Sequence, residues 1–215
     1  MSETKTSQFF DAYAGDFDAI YGTKNTLFNR LLNRLFRGSM RDRYLKVIEG
    51  CDPVEGRTVL DIGCGPGHYS VTLAKQGAAS VTGVDFAESM LKIAGDYAKD
   101  ANVDNKCHFI LQDFMTFTSE GRFDYTIAVG FMDYIKEPDV LIDKVMSITG
   151  KKAFFSFPVD GGLLAWQRKQ RYKSRCELYM YTEKKLEDLF SRADCKDYSI
   201  EKISRDFFVT ATAQN

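Results

Sequence analysis

The sequence predicts an α/β fold with a doubly wound, mostly parallel sheet, and three observations support this prediction. Short apolar runs alternate with amphipathic segments from residue 58 onward. A turn with three glycines, Gly63, Gly65 and Gly67, joins the first apolar run to the next segment. Two more apolar runs, separated by a short turn, close the chain. Alternating strands and helices are typical of a parallel sheet with helices on both faces.

The predicted elements follow one another along the chain with short connections. Strands are expected near 57–62, 80–85, 107–111, 123–130 and 152–157, and helices near 68–76, 87–99 and 138–148. A helix near 182–192 precedes two runs, 197–203 and 207–213, that form a predicted antiparallel hairpin. Residues 6–50 have a helical pattern with breaks near Gly15 and Gly22.

This order predicts a single domain over residues 1–215, since nothing in the sequence suggests a linker or a repeat. We expect four parts within it: a helical cap or lid (1–50), a core (55–157), an insert (158–181), and a final helix with a hairpin (182–215).

Composition limits the possible function classes. Of the 215 residues, 44% are hydrophobic and 27% are charged, as in soluble globular proteins. The net charge of −1 gives no general attraction to nucleic acid or anionic membranes. No signal peptide is seen, and no apolar run approaches the roughly 20 residues that span a bilayer. Five scattered cysteines and two histidines indicate free thiols in a reducing cytoplasm and no metal site.

The spacing of the glycines favours one type of ligand. It is G-x-G-x-G, whereas the dinucleotide fingerprint is G-x-G-x-x-G. Asp61 stands two residues before the first glycine, where a carboxylate would repel a pyrophosphate but suits a cation. Asp85 ends the next apolar run and could accept both hydroxyls of a ribose. S-adenosylmethionine, which has an ammonium, a sulfonium and no phosphate, fits this pattern.

Three segments in register resemble known motifs. The stretch 61–67, Asp-Ile-Gly-Cys-Gly-Pro-Gly, resembles motif I of the class I S-adenosylmethionine-dependent methyltransferases. Segments 84–91 and 111–114 resemble the second and third motifs of that family, and 123–129 resembles its fourth strand. The resemblance covers roughly residues 55–157. It implies a Rossmann-like, seven-stranded sheet with an antiparallel last strand, and a small-molecule type of enzyme.

The resemblance also implies a set of cofactor-binding residues. These are Asp61, Gly63, Cys64, Gly65, Gly67, Asp85, Phe86, Met90, Asp113, Phe114, Gly130, Tyr13 and Tyr21. Phe86 and Met90 would line the adenine, or else simply pack in the core. Asp113 would accept the adenine amino group, or else be a solvated loop acid.

The two tyrosines of this set lie in a segment of their own. Residues 9–22 resemble the lid before motif I, and Ile20-Tyr-Gly22 is also similar to a tripeptide near the start of magnesium-protoporphyrin O-methyltransferases. Tyr13 and Tyr21 would hydrogen-bond the cofactor carboxylate. Core packing of an amphipathic helix is the alternative.

The catalytic candidates are Asp133 and Tyr134, which follow the fourth strand where this fold faces the transferred methyl group. The surrounding sequence lacks the Asn/Asp-Pro-Pro-Tyr/Phe signature of amino-directed DNA methyltransferases. Either side chain could orient or deprotonate a substrate. A helix cap and a packed aromatic are the alternative interpretation.

The insert contains a basic run in which five of the eight residues 168–175 are Lys or Arg. Its candidate substrate-binding residues are Trp166, Arg168, Arg171, Tyr172 and Arg175. Arginines fork onto carboxylates or phosphates, so this run could hold an anionic or aromatic acceptor. A solvated helix face explains the run equally well, and RNA binding is a third interpretation.

Together these features predict an S-adenosylmethionine-dependent methyltransferase. The expected acceptor is an oxygen or nitrogen of a small metabolite, and the basic insert would suit an anionic one. Two alternatives stay open: an RNA methyltransferase that uses the basic insert, and a cofactor-binding protein without turnover. We expect a cytoplasmic protein with no nucleic-acid partner and no membrane span.

Overall fold

The computed structural model describes residues 27–162, 165–166, 170 and 178–214. Its helices are α1 (Leu27–Gly50), α2 (His68–Lys75), α3 (Glu88–Asp100), α4 (Pro138–Ser147) and α5 (Glu183–Arg192). Its strands are β1 (Thr58–Ile62), β2 (Ser80–Asp85), β3 (Cys107–Leu111), β4 (Phe123–Ala128), β5 (Thr149–Pro158), β6 (Cys195–Ile203) and β7 (Asp206–Ala213). Short 3₁₀ helices cover Phe114–Thr116 and Met132–Tyr134.

The seven strands form one sheet in the order β3-β2-β1-β4-β5-β7-β6. The pairs from β3 to β5 are parallel, and β7 is antiparallel to both β5 and β6. This confirms the predicted mostly parallel, seven-stranded sheet with an antiparallel last strand. The strand order reverses between β1 and β4, and ligands of open α/β sheets bind at the carboxyl ends of strands at such a point.

The core lies on both faces of the sheet. Successive residues of a strand point to opposite faces, so neighbouring phenylalanines of β5 enter different clusters. Phe155 packs with Leu141 of α4 and Phe190 of α5. Phe154 packs on the other face with Val47 of α1 and Leu73 of α2. Helices therefore cover both faces, as the alternating sequence pattern predicts.

The predicted bounds agree with the structure to within a few residues, and β5 shows the largest shift. It begins at Thr149, where the sequence predicts a start at residue 152. Its first residues include Gly150 and two lysines, so they lack the apolar pattern of a buried strand. They pair with β4 across a register shift between Phe123 and Tyr125, and a strand irregularity of this kind leaves no periodic signal.

Neither a membrane-spanning helix nor a metal-binding cluster is found in the part of the chain that the structure describes. There, no helix has the length and apolar character needed to cross a bilayer. Nor do three or more His, Cys, Asp or Glu side chains in these ranges form a group that could hold a metal ion.

Candidate functional site

The glycine turn, residues 63–67, joins β1 to α2 at the carboxyl edge of the sheet. The N–H groups of Gly63 and Cys64 donate to the carbonyl oxygen of Val84 at 2.8 and 3.2 Å, so the turn lies against the end of β2. Gly63, Gly65 and Gly67 all have positive φ, at 63°, 51° and 78°. Only glycine adopts this backbone conformation without strain.

The glycines of the turn differ in what surrounds them. A Cβ at Gly67 would lie 2.9 Å from the Cβ of Ala94, so this glycine allows α3 to pack against the turn. At Gly63, a Cβ would lie 3.0 Å from the Phe131 ring. At Gly65, no atom of the described residues lies within 4 Å of where a Cβ would be. The Gly65 backbone therefore faces open space at the sheet edge.

The Asp85 carboxylate fastens this turn to the next helix. Its Oδ2 accepts from the Gly65 N–H at 2.8 Å, and its Oδ1 accepts from the Ala87 N–H at 2.9 Å. The residue is 9% exposed and ends β2. These two hydrogen bonds place the Asp85 carboxylate beside the glycine turn at the carboxyl edge of the sheet.

Asp61 lies beneath the glycine turn. It is 1% exposed, and its Oδ2 accepts a hydrogen bond from the Ser70 hydroxyl of α2 at 2.6 Å. Burial raises the pKa of the Asp61 carboxyl to about 7, while the Ser70 hydrogen bond acts in the opposite direction. Asp61 could attract a cation bound on the other side of the turn when its carboxyl is charged. That role of Asp61 stays a prediction.

The ends of β2 and β3 form an apolar rim. Phe86 and Leu111 are 40% and 54% exposed, and Leu111 pairs in register with Asp85. Met90 and Phe114, by contrast, are buried, and the Phe114 ring stacks on Phe117. The rim thus offers Phe86 and Leu111 to a flat apolar ligand, and the sequence analysis did not select Leu111.

Asp113 lies beside this rim in the loop that follows β3. Its Oδ1 accepts from the Met115 N–H at 2.8 Å, which caps the short 3₁₀ helix that begins at Phe114. The structure therefore gives Asp113 a structural partner at the edge where the sequence analysis expects an adenine contact.

The loop after β4 contributes the second part of the edge. Gly130 has φ 99°, and its N–H donates to the hydroxyl oxygen of Ser156 in β5 at 2.9 Å. Asp133 is 3% exposed in the 3₁₀ helix Met132–Tyr134. Asp133 and Tyr134 thus lie at the carboxyl end of β4, close to the reversal of strand order.

The insert begins and ends next to Asp133. The Tyr179 N–H donates to the Asp133 carbonyl at 2.8 Å, and the Tyr181 hydroxyl donates to the Met132 carbonyl at 3.3 Å. Tyr181 also bridges to Val159 just after β5. Burial, followed by the nearby charge of Asp133, raises the pKa of the Tyr181 hydroxyl above its usual value. Both ends of the insert therefore meet at the β4 loop.

Several predicted site residues lie outside the described residues. They are Tyr13, Tyr21, Arg168, Arg171, Tyr172 and Arg175. Trp166 of the same insert is described and is 60% exposed.

Sequence reasoning missed four buried or partly buried polar side chains at the same edge. The Asp206 carboxylate of β7 accepts from the Ser39 hydroxyl of α1 at 2.5 Å and lies 3.6 Å from the Nε of Arg43. The Nη1 of Arg43 donates to the Ser156 hydroxyl oxygen at 3.4 Å. Ser156 interrupts the apolar run of β5, which was the one available signal, whereas Asp206 only precedes an apolar run.

The chain is similar to known methyltransferases. Residues 59–150 match a family model described as a methyltransferase domain. A ubiquinone biosynthesis O-methyltransferase of Coxiella burnetii (strain Dugway 5J108-111) is 36% identical over 117 residues, which are 52% of this chain and 48% of that protein. One of Hydrogenovibrio crunogenus is 32% identical over 98 residues, or 46% of this chain and 40% of that protein. The chain thus spans about half the length of the curated relatives it matches.

Solved structures share the fold over nearly the whole chain. Magnesium protoporphyrin IX methyltransferase from Synechocystis PCC 6803, with bound SAH, superposes with a TM-score of 0.79 at 20% identity, covering 99% of this chain and 100% of that one. A phosphoethanolamine N-methyltransferase 2 from Haemonchus contortus superposes with a TM-score of 0.74 at 16% identity, covering 98% of this chain and 59% of that one. At these identities the likeness shows the fold alone.

Proposed function

We propose that this chain transfers a methyl group from S-adenosylmethionine to an oxygen of a small molecule. Its residues 59–150 match a methyltransferase-domain model, and its motifs resemble those of the class I S-adenosylmethionine-dependent methyltransferases. The observation that carries the proposal is the open backbone face of Gly65 beside the Asp85 carboxylate. A ligand at this point would meet a glycine backbone and a carboxylate.

The described residues fit such a cofactor. The Asp85 carboxylate, which accepts from Gly65 and Ala87, lies beside the glycine turn, where an acid at the end of the second strand can bind ribose hydroxyls. Phe86 and Leu111 present apolar surface on which a flat base can lie. The glycine turn allows the methionine part to approach the backbone closely.

Arg43 is the group that we assign to the carboxylate of the methionine part. Its side chain is 15% exposed, and it reaches the edge next to Gly130, where a Cβ would lie 3.7 Å from Nη1. A guanidinium binds a carboxylate through paired hydrogen bonds, which are stronger than neutral ones. Tyr13 and Tyr21 remain proposed partners of the same carboxylate.

The chemistry requires alignment more than it requires special functional groups. When bound, S-adenosylmethionine would supply an electrophilic methyl group: the acceptor oxygen would form a bond to the methyl carbon, the C–S bond would break with its electron pair staying on sulfur, and the oxygen would lose its proton. The glycine turn, Asp85 and the β4 loop hold the partners in place, an effect worth up to about 7–11 kcal/mol. Asp133 and Tyr134 are the proposed groups that orient the acceptor or take its proton.

An oxygen acceptor is favoured by the names of the relatives, which are O-methyltransferases of ubiquinone biosynthesis. The insert, which begins and ends at the β4 loop, is the element that we assign to acceptor binding. Arg168, Arg171 and Arg175, with Trp166 and Tyr172, remain the proposed contacts to an anionic or aromatic acceptor.

Turnover is tested with methyl-labelled S-adenosylmethionine, the purified chain, and a cell extract divided into lipid, aqueous small-molecule and RNA fractions. We expect label to enter a lipid or aqueous small molecule, with an equal amount of S-adenosylhomocysteine formed. Label in RNA alone would contradict the small-molecule proposal. Binding of S-adenosylhomocysteine without label transfer to any fraction would favour a cofactor-binding protein.

The ribose assignment is tested by calorimetric titration of Asp85→Asn with S-adenosylhomocysteine and its 2′-deoxy analogue. Hydrogen bonds to charged groups contribute about 1.5–3 kcal/mol, so the wild type should bind the deoxy analogue about tenfold or more weakly than the parent. Asp85→Asn should distinguish the two ligands much less. Asp124→Asn is the matched control, since its carboxylate also accepts a backbone N–H, from Thr58 at 2.9 Å, at the opposite end of β1.

A further inference from the structure

A buried polar network joins four elements at the carboxyl edge of the sheet, and we call its members the Asp206 network: Ser39, Arg43, Gly130, Ser156 and Asp206. It runs from α1 through β7 and β5 to the loop after β4. Ser39 and Arg43 stand four residues apart on α1 and therefore share one face of that helix. Asp206 meets both of them with a single carboxylate oxygen, Oδ2.

The backbone of the sheet fixes the position of this carboxylate. Asp206 is the first residue of β7 and pairs with Pro158 of β5 and Ile203 of β6. The antiparallel direction of β7 brings its first residue, and not its last, to the carboxyl edge of the parallel strands. The residue is 3% exposed, so its charge is shielded from water and acts strongly on Arg43.

The contacts of Arg43 are directional. Its Nε faces Asp206 at 3.6 Å, beyond hydrogen-bond reach, and is buried with no hydrogen-bond partner among the described residues. Its Nη1 contacts the Ser156 hydroxyl, which also accepts the Gly130 N–H. The guanidinium is thus held from one side by a negative charge, and its outer end is turned toward Gly130.

A buried ion pair is weak evidence for stability, because the loss of hydration offsets much of the attraction. Apolar residues of similar volume would pack α1 onto the hairpin without this loss. The arrangement does, however, fix the outer end of a long and otherwise mobile side chain at the edge of the site.

We propose that Asp206 is a positioning residue for cofactor binding, which acts by holding the Arg43 guanidinium against the β4 loop. The proposal rests on the proposed function, in which Arg43 meets the carboxylate of the cofactor. The affinity for a ligand that carries this carboxylate depends on Asp206, and the affinity for the adenosine part alone does not.

Two ligands separate these affinities: S-adenosylhomocysteine, which carries the amino-acid part, and 5′-methylthioadenosine, which lacks it. Calorimetric titration of Asp206→Asn should show S-adenosylhomocysteine binding about tenfold weaker, and 5′-methylthioadenosine binding unchanged. The Asn keeps one acceptor oxygen for Ser39, removes the charge, and has an NH2 group in place of the other oxygen. Arg43→Gln should behave in the same way.

The double variant shows whether Asp206 acts through Arg43. Effects of residues in one network are not additive, so Asp206→Asn combined with Arg43→Gln should bind S-adenosylhomocysteine no more weakly than Arg43→Gln alone. Glu201→Gln is the matched control, because Lys46 and Glu201 also join α1 to the hairpin, at 2.5 Å, but on the exposed surface. It should change neither affinity.

Three results would overturn the proposal. Equal weakening of both ligands by Asp206→Asn would indicate general distortion of the site. Unchanged binding of S-adenosylhomocysteine, or additive effects in the double variant, would show that Asp206 does not act through Arg43. If Asp206→Asn fails to fold, Ser156→Ala tests the other side of the network and should show the same preference between ligands.

The wild-type protein distinguishes failure of this inference from failure of the proposed function. A wild type that binds S-adenosylhomocysteine, with an Asp206→Asn variant that binds it equally well, would remove only the inference. A wild type that binds neither ligand would remove both.

Discussion

The two halves of the candidate site are built in different ways. The glycine-turn half, residues 59–67 with 80–90, is formed by two short segments whose parts are close in sequence. The β4–β7 half, which comprises the loop 129–135, the two ends of the insert and the Asp206 network, draws its contacts from residues up to 167 positions apart. Both halves lie at the carboxyl edge of the same sheet, on either side of the reversal in strand order.

This difference affects what each half can tolerate. In the glycine-turn half the backbone itself forms the site, so small residues and positive φ angles are required at fixed positions. In the β4–β7 half the site depends on side chains and on the docking of α1, β7 and the insert. We therefore expect substitutions in the glycine-turn half to reduce both stability and cofactor affinity. Substitutions in the β4–β7 half should change the affinity for one ligand, or the KM for the acceptor, with little effect on the other ligands.

The largest expected effect comes from Gly67→Ala, with Gly65→Ala as its matched comparison. Both glycines have positive φ, which an alanine adopts at a cost of about 1–2 kcal/mol. At Gly67 the added Cβ would also lie 2.9 Å from Ala94 Cβ, and overpacking costs about 1–3 kcal/mol more. Urea denaturation should show a loss of about 2–5 kcal/mol for Gly67→Ala.

Gly65→Ala should lose only the conformational part of that free energy, because its Cβ meets no atom of the described residues within 4 Å. Its methyl group would instead occupy space that the cofactor needs, so the affinity for S-adenosylhomocysteine should fall more than the stability does. Equal losses of stability in the two variants would show that Ala94 moves aside and that the two glycines do not differ in packing as proposed.

The same difference explains how much could be predicted from the sequence. Every strand and the helices α2 to α5 were predicted, because periodic apolar runs and glycines are local signals, whereas the two short 3₁₀ helices were not. The three glycines, Asp85 and Asp61 were selected for the same reason. Arg43, Ser156 and Asp206 were missed, since their contacts depend on how α1 and β7 dock, and no local pattern encodes that. Leu111 was missed because an apolar residue of a strand is expected to be buried, whereas Leu111 is the last residue of β3 and is exposed at the edge of the sheet.

The second prediction concerns the pH dependence of stability at Asp61. Burial raises the pKa of its carboxyl to about 7, so the folded state holds a proton that the unfolded chain has already released above pH 4. The stability is therefore fullest below the unfolded pKa and is lost as pH rises through about 7. Relative to Asp61→Asn, the free energy of unfolding of the wild type should fall by about 2–3 kcal/mol between pH 4.5 and pH 8.

Two measurements sharpen this test. The difference in free energy of unfolding between the wild type and Asp124→Asn should not change over the same range. Burial acts to raise the pKa of Asp124, but the Thr58 hydrogen bonds and nearby cations lower it overall, so this carboxylate titrates at lower pH. Bound S-adenosylhomocysteine should flatten the wild-type slope, because an ammonium above the turn favours the charged carboxylate. An unchanged slope would argue that Asp61 does not sense the ligand.

The smallest expected effect is the loss of a single tyrosine hydroxyl. Tyr181 and Tyr125 are compared, because the hydroxyl of each donates to a backbone carbonyl. Tyr181 donates to Met132 at 3.3 Å, between the end of the insert and the β4 loop, and Tyr125 donates to Pro53 at 3.4 Å, away from the carboxyl edge. Removing either hydroxyl by Tyr→Phe should reduce the free energy of unfolding by a similar amount, about 0.5–1.5 kcal/mol.

Of these two substitutions, only Tyr181→Phe should make the insert easier to cleave, because only the Tyr181 hydroxyl holds the end of the insert to the β4 loop. Trypsin should cleave after the basic residues 168–175 several times faster in Tyr181→Phe than in Tyr125→Phe, at equal global stability and with the same affinity for S-adenosylhomocysteine. The KM for the acceptor found by the labelling assay should rise in parallel. Equal cleavage rates in the two variants would mean that the Tyr181 hydroxyl contributes only to stability, and the hydrogen bond between Tyr179 and Asp133 would then be the contact that fixes the insert at the β4 loop.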